Sequence, residues 1–210
     1  MYRMFAALTV VAGLVMVPAP RAWAAEDDKA PSTEKQPREP DVMYVPTPDE
    51  VVAKMLDLVK LKKGEVLYDL GCGDGRIVVA AAKRGAKATG FEIHPDRLKM
   101  SRENVKKNKV EKNAKIVDQD IFTLDLSKAN VITLYLLPSL NVKLIPQLEK
   151  LKPGSRIVSH DFDMEGVKPD KVVEVTSKNG DVSHTVYLWT TPLKKEGKEK
   201  EKEKEKDEDK

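Results

Sequence analysis

From Thr47 onward the apolar positions repeat with two periods, and the changes between them mark out elements. Val52, Met55, Leu56 and Val59 share one face of a helix. Thr47-Pro48-Asp49-Glu50 supplies an N-cap, a proline at the first helical position and the glutamate of a capping box, and Lys62-Lys63-Gly64 closes the helix. A strand is expected near Glu65 to Leu70, a helix near Arg76 to Lys83, a strand near Ala88 to Glu92 and a helix from Pro95 to about Lys107. Strands near Lys115 to Asp118 and at Val131 to Tyr135 follow, and the run from Val131 to Leu137 is apolar almost throughout, as a central strand requires. A helix near Leu140 to Leu151, kinked at Pro146, leads through Pro153-Gly154 to a strand at Arg156 to Ser159. Finally Lys171 to Thr176 and Val182 to Thr190 alternate apolar with polar around Asn179-Gly180, a hairpin signal. Strands alternating with helices pair in parallel through right-handed crossovers, so the pattern predicts a doubly wound, Rossmann-like α/β sheet ending in an antiparallel hairpin.

The two ends stand apart from this series. Arg3 precedes an apolar run from Phe5 to Val17, too short to span a bilayer comfortably, and Ala22-Trp23-Ala24 offers small residues where a signal peptidase reads. Residues 1–24 are expected to be a cleaved signal, and the alternative is an uncleaved anchor; either places the domain outside the cytoplasm, and only the anchor implies membrane contact. Residues 25–43, with Pro31, Pro37 and Pro40 among charges, form an expected disordered linker. Residues 194–210 hold eight lysines and eight acids with nothing apolar to bury, so they are expected to be a solvated tail following a domain at 44–193. Of 210 residues 40% are hydrophobic, enough for one core. Removing Arg3 and Arg21 with a signal lowers the formal charge from +3 to about +1, and no general basicity argues for nucleic acid. Cys72 is the single cysteine, which excludes an internal disulfide and a cysteine-based metal cluster.

Chemistry is concentrated in YDLGCGDGR, Tyr68 to Arg76, where a hydrophobic strand ends in Asp69 and a helix follows glycines at 71, 73 and 75. Such a loop lets the backbone approach a ligand without Cβ interference. Seventeen residues past Gly75 the second strand ends at Glu92, placed to accept from both hydroxyls of a ribose. The third strand leads to Asp120, whose carboxylate suits an adenine amino group while the Ile121 backbone reads the ring edge; a helix cap is the alternative use of Asp120. A dinucleotide site keeps acids away from its pyrophosphate. Here Asp69 and Asp74 flank the loop, which suits a cationic sulfonium and amino acid better.

Over nearly all of Tyr44 to Thr191 the chain resembles the class I S-adenosylmethionine (SAM) dependent methyltransferases, in glycine loop, acidic strand ends and closing hairpin. YVPTPDEVV from Tyr44, NVITLYLLPS from Asn130 and RIVSHDF from Arg156 are similar to segments of the ATP synthase c-subunit lysine methyltransferases and, more distantly, of the non-SET protein-lysine methyltransferases. The resemblance implies a seven-stranded sheet with the last strand antiparallel, SAM as cofactor and an amine acceptor of the protein-lysine kind. It also implies that Asp69, Gly71, Cys72 and Gly73 cradle the methionine part, Glu92 the ribose, and Asp120 and Ile121 the adenine, while the segment with Tyr44 and Thr47 closes over the cofactor. Where many amine methyltransferases carry an Asn or Asp-Pro-Pro-aromatic motif, this chain has Tyr135-Leu136-Leu137-Pro138, which does not support an amide-type acceptor.

Tyr135, ending a central strand, is the candidate for the acceptor channel with Leu137 and Pro138, since a ring holds an amine by cation–π attraction; a core aromatic is the competing reading. His160 and His184, with Asp161 and Asp163 nearby, are candidates to orient the acceptor or act as a base. Spacing alone does not support a metal site made of them, and His94 reads as a helix start. Two other function classes share the glycine loop: a nicotinamide-dependent oxidoreductase, disfavoured by loop spacing and hairpin, and a non-catalytic SAM or nucleoside-binding module.

Overall fold

The computed structural model describes residues 44–178 and 182–196. The expected signal, the linker, most of the tail and the Asn179-Gly180 turn lie outside the described residues. The elements are α1 (Asp49–Leu58), β1 (Val66–Leu70), α2 (Arg76–Lys83), β2 (Lys87–Glu92), α3 (Pro95–Lys107), β3 (Ala114–Asp118), a 3-10 turn (Ile121–Thr123), β4 (Val131–Leu134), α4 (Pro138–Leu148), β5 (Arg156–His160), β6 (Lys171–Thr176) and β7 (Ser183–Thr190). They form one sheet in the order β3-β2-β1-β4-β5-β7-β6. The first five strands pair in parallel, while β7 runs antiparallel to both β5 and β6. This is the expected doubly wound sheet with an antiparallel close.

Each face of the sheet carries its own apolar layer. Val51, Met55, Val78, Ala81, Val131 and Val158 belong to one. Ile132, Leu134, Leu144, Leu148, Ile157 and Trp189 belong to the other. Val131 and Ile132, like Val158 and Ile157, fall to opposite layers because successive strand residues point to opposite faces. All four residues of β4 are buried, consistent with a strand covered on both sides. Gly90 on β2 has no room for a side chain, since a Cβ there would meet the Cys72 sulfur at 2.6 Å and Val78 Cγ2 at 2.8 Å.

Three local expectations are corrected. The capping box at α1 does not form: Pro48 is the N-cap and no side chain caps the helix. The Thr47 hydroxyl lies instead 3.2 Å from His160 Nδ1, and Glu50 Oε1 accepts from the Lys178 backbone N–H at 2.8 Å. The fourth strand stops at Leu134 rather than Tyr135, and α4 starts at Pro138, two residues before the expected Leu140, because proline at a first helical position is preorganised for helix. Pro146 lies inside α4. Lys194 and Lys195, expected to belong to the tail, pair with the domain: Lys194 O accepts from Lys168 N, Lys194 Nζ meets Asp170 at 3.0 Å and Lys195 bridges to Val167. Among the described residues no helix is long and apolar enough to cross a membrane.

Candidate functional site

The carboxyl ends of β1, β2 and β4 open into a cavity of about 440 Å³, within the ordinary range for small-molecule sites. Of the residues singled out from sequence, Tyr44, Thr47, Asp69, Gly71, Cys72, Glu92, Asp120, Ile121, Tyr135 and Leu137 line it. Gly73 stands at its edge under the Tyr44 ring. Pro138 and His160 are not in the lining: Pro138 opens α4, and His160 is fully buried behind Tyr135, their rings 3.9 Å apart.

The floor is made by the glycine loop. Gly71 N–H and Cys72 N–H both donate to Phe91 O, at 3.0 and 2.9 Å, anchoring the loop on β2. Gly73 has φ +54°, and a Cβ there would sit 2.3 Å from Tyr44 Cε2, so this position must be glycine while Tyr44 covers it. Glu92 is buried with both oxygens engaged: Oε2 accepts from Gly73 N–H at 3.0 Å, and Oε1 from Ile93 N–H and His94 N–H at 2.9 and 3.0 Å. Its position is therefore fixed by backbone donors, with acceptor capacity left over for a diol. The Cys72 thiol is turned into the core against Gly90 and Val78, and burial pushes its pKa up; its part in the cavity is backbone and packing.

Asp69 has an idle buried oxygen. Thr133 Oγ1 donates to Oδ1 at 2.7 Å across the β1–β4 register, while the buried Oδ2 has no partner. Burial pushes the Asp69 carboxyl up to about 7. A buried orphan oxygen is costly, and a cationic donor entering the cavity relieves it. Asp74, expected with Asp69 to suit a cationic ligand, behaves differently: Arg76 Nη2 reaches its Oδ2 at 2.7 Å and Arg76 Nε lies 3.1 Å from both oxygens, so this acid is already paired within the chain. Burial would raise its carboxyl, but the guanidinium outweighs that and holds it below its ordinary value.

The segment before α1 is strapped across the cavity by the same pair. Arg76 Nη1 donates to Thr47 O at 2.9 Å, Tyr44 hydrogen-bonds Asp74, and Arg97 lies 5.3 Å above the Tyr44 ring. On the far side, Asp120 Oδ1 accepts from Phe122 N–H at 3.0 Å, so the capping use is present, and Asp120 also faces the cavity. Gln147 on α4 donates to Ile121 O and Leu124 O, fixing this loop from below. Elsewhere in the cavity wall Tyr135 stacks on Phe162, with ring centres 6.1 Å apart and planes 20° from parallel.

Sequence reasoning missed Thr133, Phe162, Gln147 and the bracing role of Arg76. Arg76 stands inside the glycine-loop motif, two residues from its partner, and is the legible one. The others carry no local signal.

A strand–glycine loop–helix floor, an acid at the tip of the second strand and a seven-stranded sheet with β7 antiparallel define the class of SAM-dependent methyltransferases, and this chain is one. The model of the ANTKMT methyltransferase domain matches residues 69–171. A protein-lysine N-methyltransferase of Saccharolobus islandicus is 46% identical over 153 residues, covering 71% of this chain and 94% of that protein. The human lysine N-methyltransferase of the ATP synthase c-subunit is 29% identical over 130 residues, which span 61% of this chain and 55% of that one. The crystal structure of an RNA methyltransferase from Salinibacter ruber, in complex with S-adenosyl-L-homocysteine, is 49% identical with a TM-score of 0.65, covering 70% of this chain and 94% of that one. The chain belongs to the same methyltransferase family as the Saccharolobus islandicus protein. The nicotinamide reading of the glycine loop is not favoured.

The residues present fit SAM: an idle buried carboxylate oxygen for an ammonium, a loop whose glycine at 73 leaves no space for a side chain, and a fixed glutamate with acceptor capacity for hydroxyls.

Proposed function

We propose that the acceptor is the side-chain amine of a protein lysine. The observation that carries this reading is the Tyr135–Phe162 stack in the wall of the cavity, a pair of rings with their planes 20° from parallel. Ring faces attract a cationic alkylamine. The chain's 37 basic residues against 34 acidic ones leave no large positive field to hold a phosphate backbone. The relatives' names point to both acceptor types, and the chemistry of this mouth favours lysine over RNA.

In this reading Asp69 Oδ2 takes the cofactor's ammonium, the Gly71 and Gly73 backbone lies along its methionine part, Glu92 accepts from its ribose, and Asp120 and Ile121 meet its adenine. Tyr44 and Thr47 close the cavity as part of the strap. Bound SAM supplies an electrophilic methyl group for in-line displacement. The protein's contribution is alignment of the amine, worth several kcal/mol when a nucleophile is held in line. Tyr135 and Leu137 guide the lysine stem inward. The amine loses its proton to water before attack, because the imidazoles of His160 and His184 lie outside the cavity lining and His160 is buried behind Tyr135.

The test is transfer of labelled methyl from SAM to cell-envelope proteins and to RNA side by side. Label that survives ribonuclease, disappears with protease and elutes as N-methyl-lysine after hydrolysis supports the reading; label recovered in nucleotides overturns it. We infer further, from the apolar run and Ala22-Trp23-Ala24, that residues 1–24 direct export. An N-terminus beginning at Ala25 in periplasmic or secreted material is the expected result, and an intact Met1 in cytosolic material would contradict it.

A further inference from the structure

Behind the acceptor wall, three donor atoms converge with no arrangement of protons that suits them all. His160 Nε2 lies 2.9 Å from His184 Nδ1, His184 Nδ1 lies 3.2 Å from Asp161 Oδ2, and His160 Nε2 lies 3.2 Å from the same oxygen. A proton on one imidazole nitrogen satisfies the edges it spans and leaves the other nitrogen's lone pair against the carboxylate's. Protons on both set two N–H groups against each other. One edge of the triangle therefore always opposes like with like.

A cation above the triangle satisfies all three edges at once. Donors about 2.1 Å from a metal ion stand about 3.0 Å apart at right angles and about 3.4 Å apart in a tetrahedron; the two 3.2 Å edges fall in this span and the 2.9 Å edge lies just below it. The surroundings match those of a ligand set. His160 Nδ1 lies 3.2 Å from Thr47 Oγ1, which is able to accept an Nδ1–H, and in that tautomer Nε2 is the lone-pair nitrogen. Asp161 Oδ1 accepts from Thr185 N–H at 2.9 Å, which leaves Oδ2 for the cluster. Asp161 stands at φ +58°, a conformation that aspartate tolerates better than most residues, and its N–H donates to Thr185 O, so the carboxylate is folded back onto β7 by two backbone bonds. His160 is fully buried, whereas the His184 and Asp161 side chains keep 13% and 28% of their surface, so an ion has a path in and an open position for water.

We propose that His160, His184 and Asp161 bind one divalent transition-metal ion of the zinc class, with two imidazoles and one carboxylate as ligands. The ion ties β5 to β7 directly behind the Tyr135 ring and, through Thr47, to the strap over the cofactor. This site is independent of what the acceptor is.

The experiment titrates the chelator-treated full chain with Zn2+ in a calorimeter, and with Co2+ followed by visible absorption. One ion per chain is expected, with affinity lowered at least about 30-fold in His184→Ala and in Asp161→Asn, as loss of a ligand should produce. Both variants should keep the wild-type affinity for SAM within about threefold, since neither residue lines the cofactor cavity. X-ray absorption of the zinc-loaded wild type decides the matter even if a variant misfolds: two imidazole ligands are required. No saturable Zn2+ uptake by the wild type, equal uptake by the variants, or an all-oxygen ion held by acidic residues elsewhere would overturn the proposal.

Discussion

The two ends of the cavity are built from different materials. At the cofactor end the contacts are backbone N–H groups, glycines in left-handed conformations and two acids at strand tips, nearly all within Asp69 to Arg76 and Glu92 to His94. At the acceptor end the surface is made by Tyr135, Leu137 and Phe162, held from behind by His160 with Thr47, side chains from three separate stretches of chain. The first end suits one invariable ligand, with polar groups held in place by the backbone and one buried carboxylate oxygen, Asp69 Oδ2, left over. The second presents rings, which tolerate variation in what they hold.

The sharpest way to break this contrast is at Asp69. Replacing it with asparagine keeps the shape and an acceptor for Thr133, but removes the charge at the orphan oxygen. A charge-assisted hydrogen bond contributes about 1.5–3 kcal/mol, so SAM affinity measured by calorimetry should fall roughly 10- to 100-fold. Unchanged affinity would show that the orphan oxygen has nothing to do with the cofactor. Tyr135→Ala should do the reverse, lowering kcat/KM for the acceptor roughly 10-fold, as for about 1–2 kcal/mol of cation–π attraction, with SAM affinity untouched. Tyr135→Phe should keep most of the activity, since the ring face is retained. If Tyr135→Ala weakens SAM as much as it weakens turnover, the two ends are not separate.

A pH profile sharpens the cofactor end further. With no cation nearby, burial raises the Asp69 carboxyl from 3.8 to about 7. Its protonated form cannot pair with an ammonium, so SAM affinity should rise as pH goes from about 6 to about 8, by up to roughly tenfold. The sign for the free chain is opposite. A folded-state pKa above the unfolded one means stability is greatest below about pH 4 and is lost as pH rises through about 7, so SAM should raise the melting temperature most at the upper end. Asp69→Asn should flatten both trends, and a wild-type affinity that is level across this range would remove the orphan carboxylate from the cofactor's binding.

The same division governs what is legible in the sequence. Gly71, Gly73, Asp69 and Glu92 can be read because a glycine loop between strand and helix has few other uses, and its partners stand at fixed offsets along the chain. The parallel series and the closing hairpin are readable for the same reason: period and turn chemistry are local. Thr47 reads as a cap because a threonine before proline and acids satisfies every local rule for one, while its actual partner His160 lies 113 residues away. Asp74 reads with Asp69 as an acid flanking the loop, although Arg76, the partner that pairs with it, stands two residues away in the same motif. Phe162 and Thr133 acquire meaning only when β5 and β1 are placed beside β4. Nothing in ligand spacing announces the His160, Asp161 and His184 triangle, because β5 and β7 meet only through the sheet.

The smallest predicted effect discriminates between the local and the tertiary reading of one hydroxyl. Thr47 is 4% exposed, and valine keeps its volume while deleting Oγ1. If the hydroxyl serves His160, Thr47→Val should lower stability by about 1 kcal/mol, the usual worth of a buried hydrogen bond, as read from urea unfolding in chelator. Thr47→Ser should restore most of it. SAM affinity should change little in either, because the strap is held through the Thr47 carbonyl, which Arg76 still reaches. A capping box predicts a different pattern, in which Glu50→Ala is as damaging as Thr47→Val because the two side chains act reciprocally on one helix end. The structure separates them: Glu50 meets the Lys178 backbone at the surface, so its removal should leave the unfolding midpoint where it was. Equal losses in the two variants would return Thr47 to the helix and detach the strap from the acceptor wall.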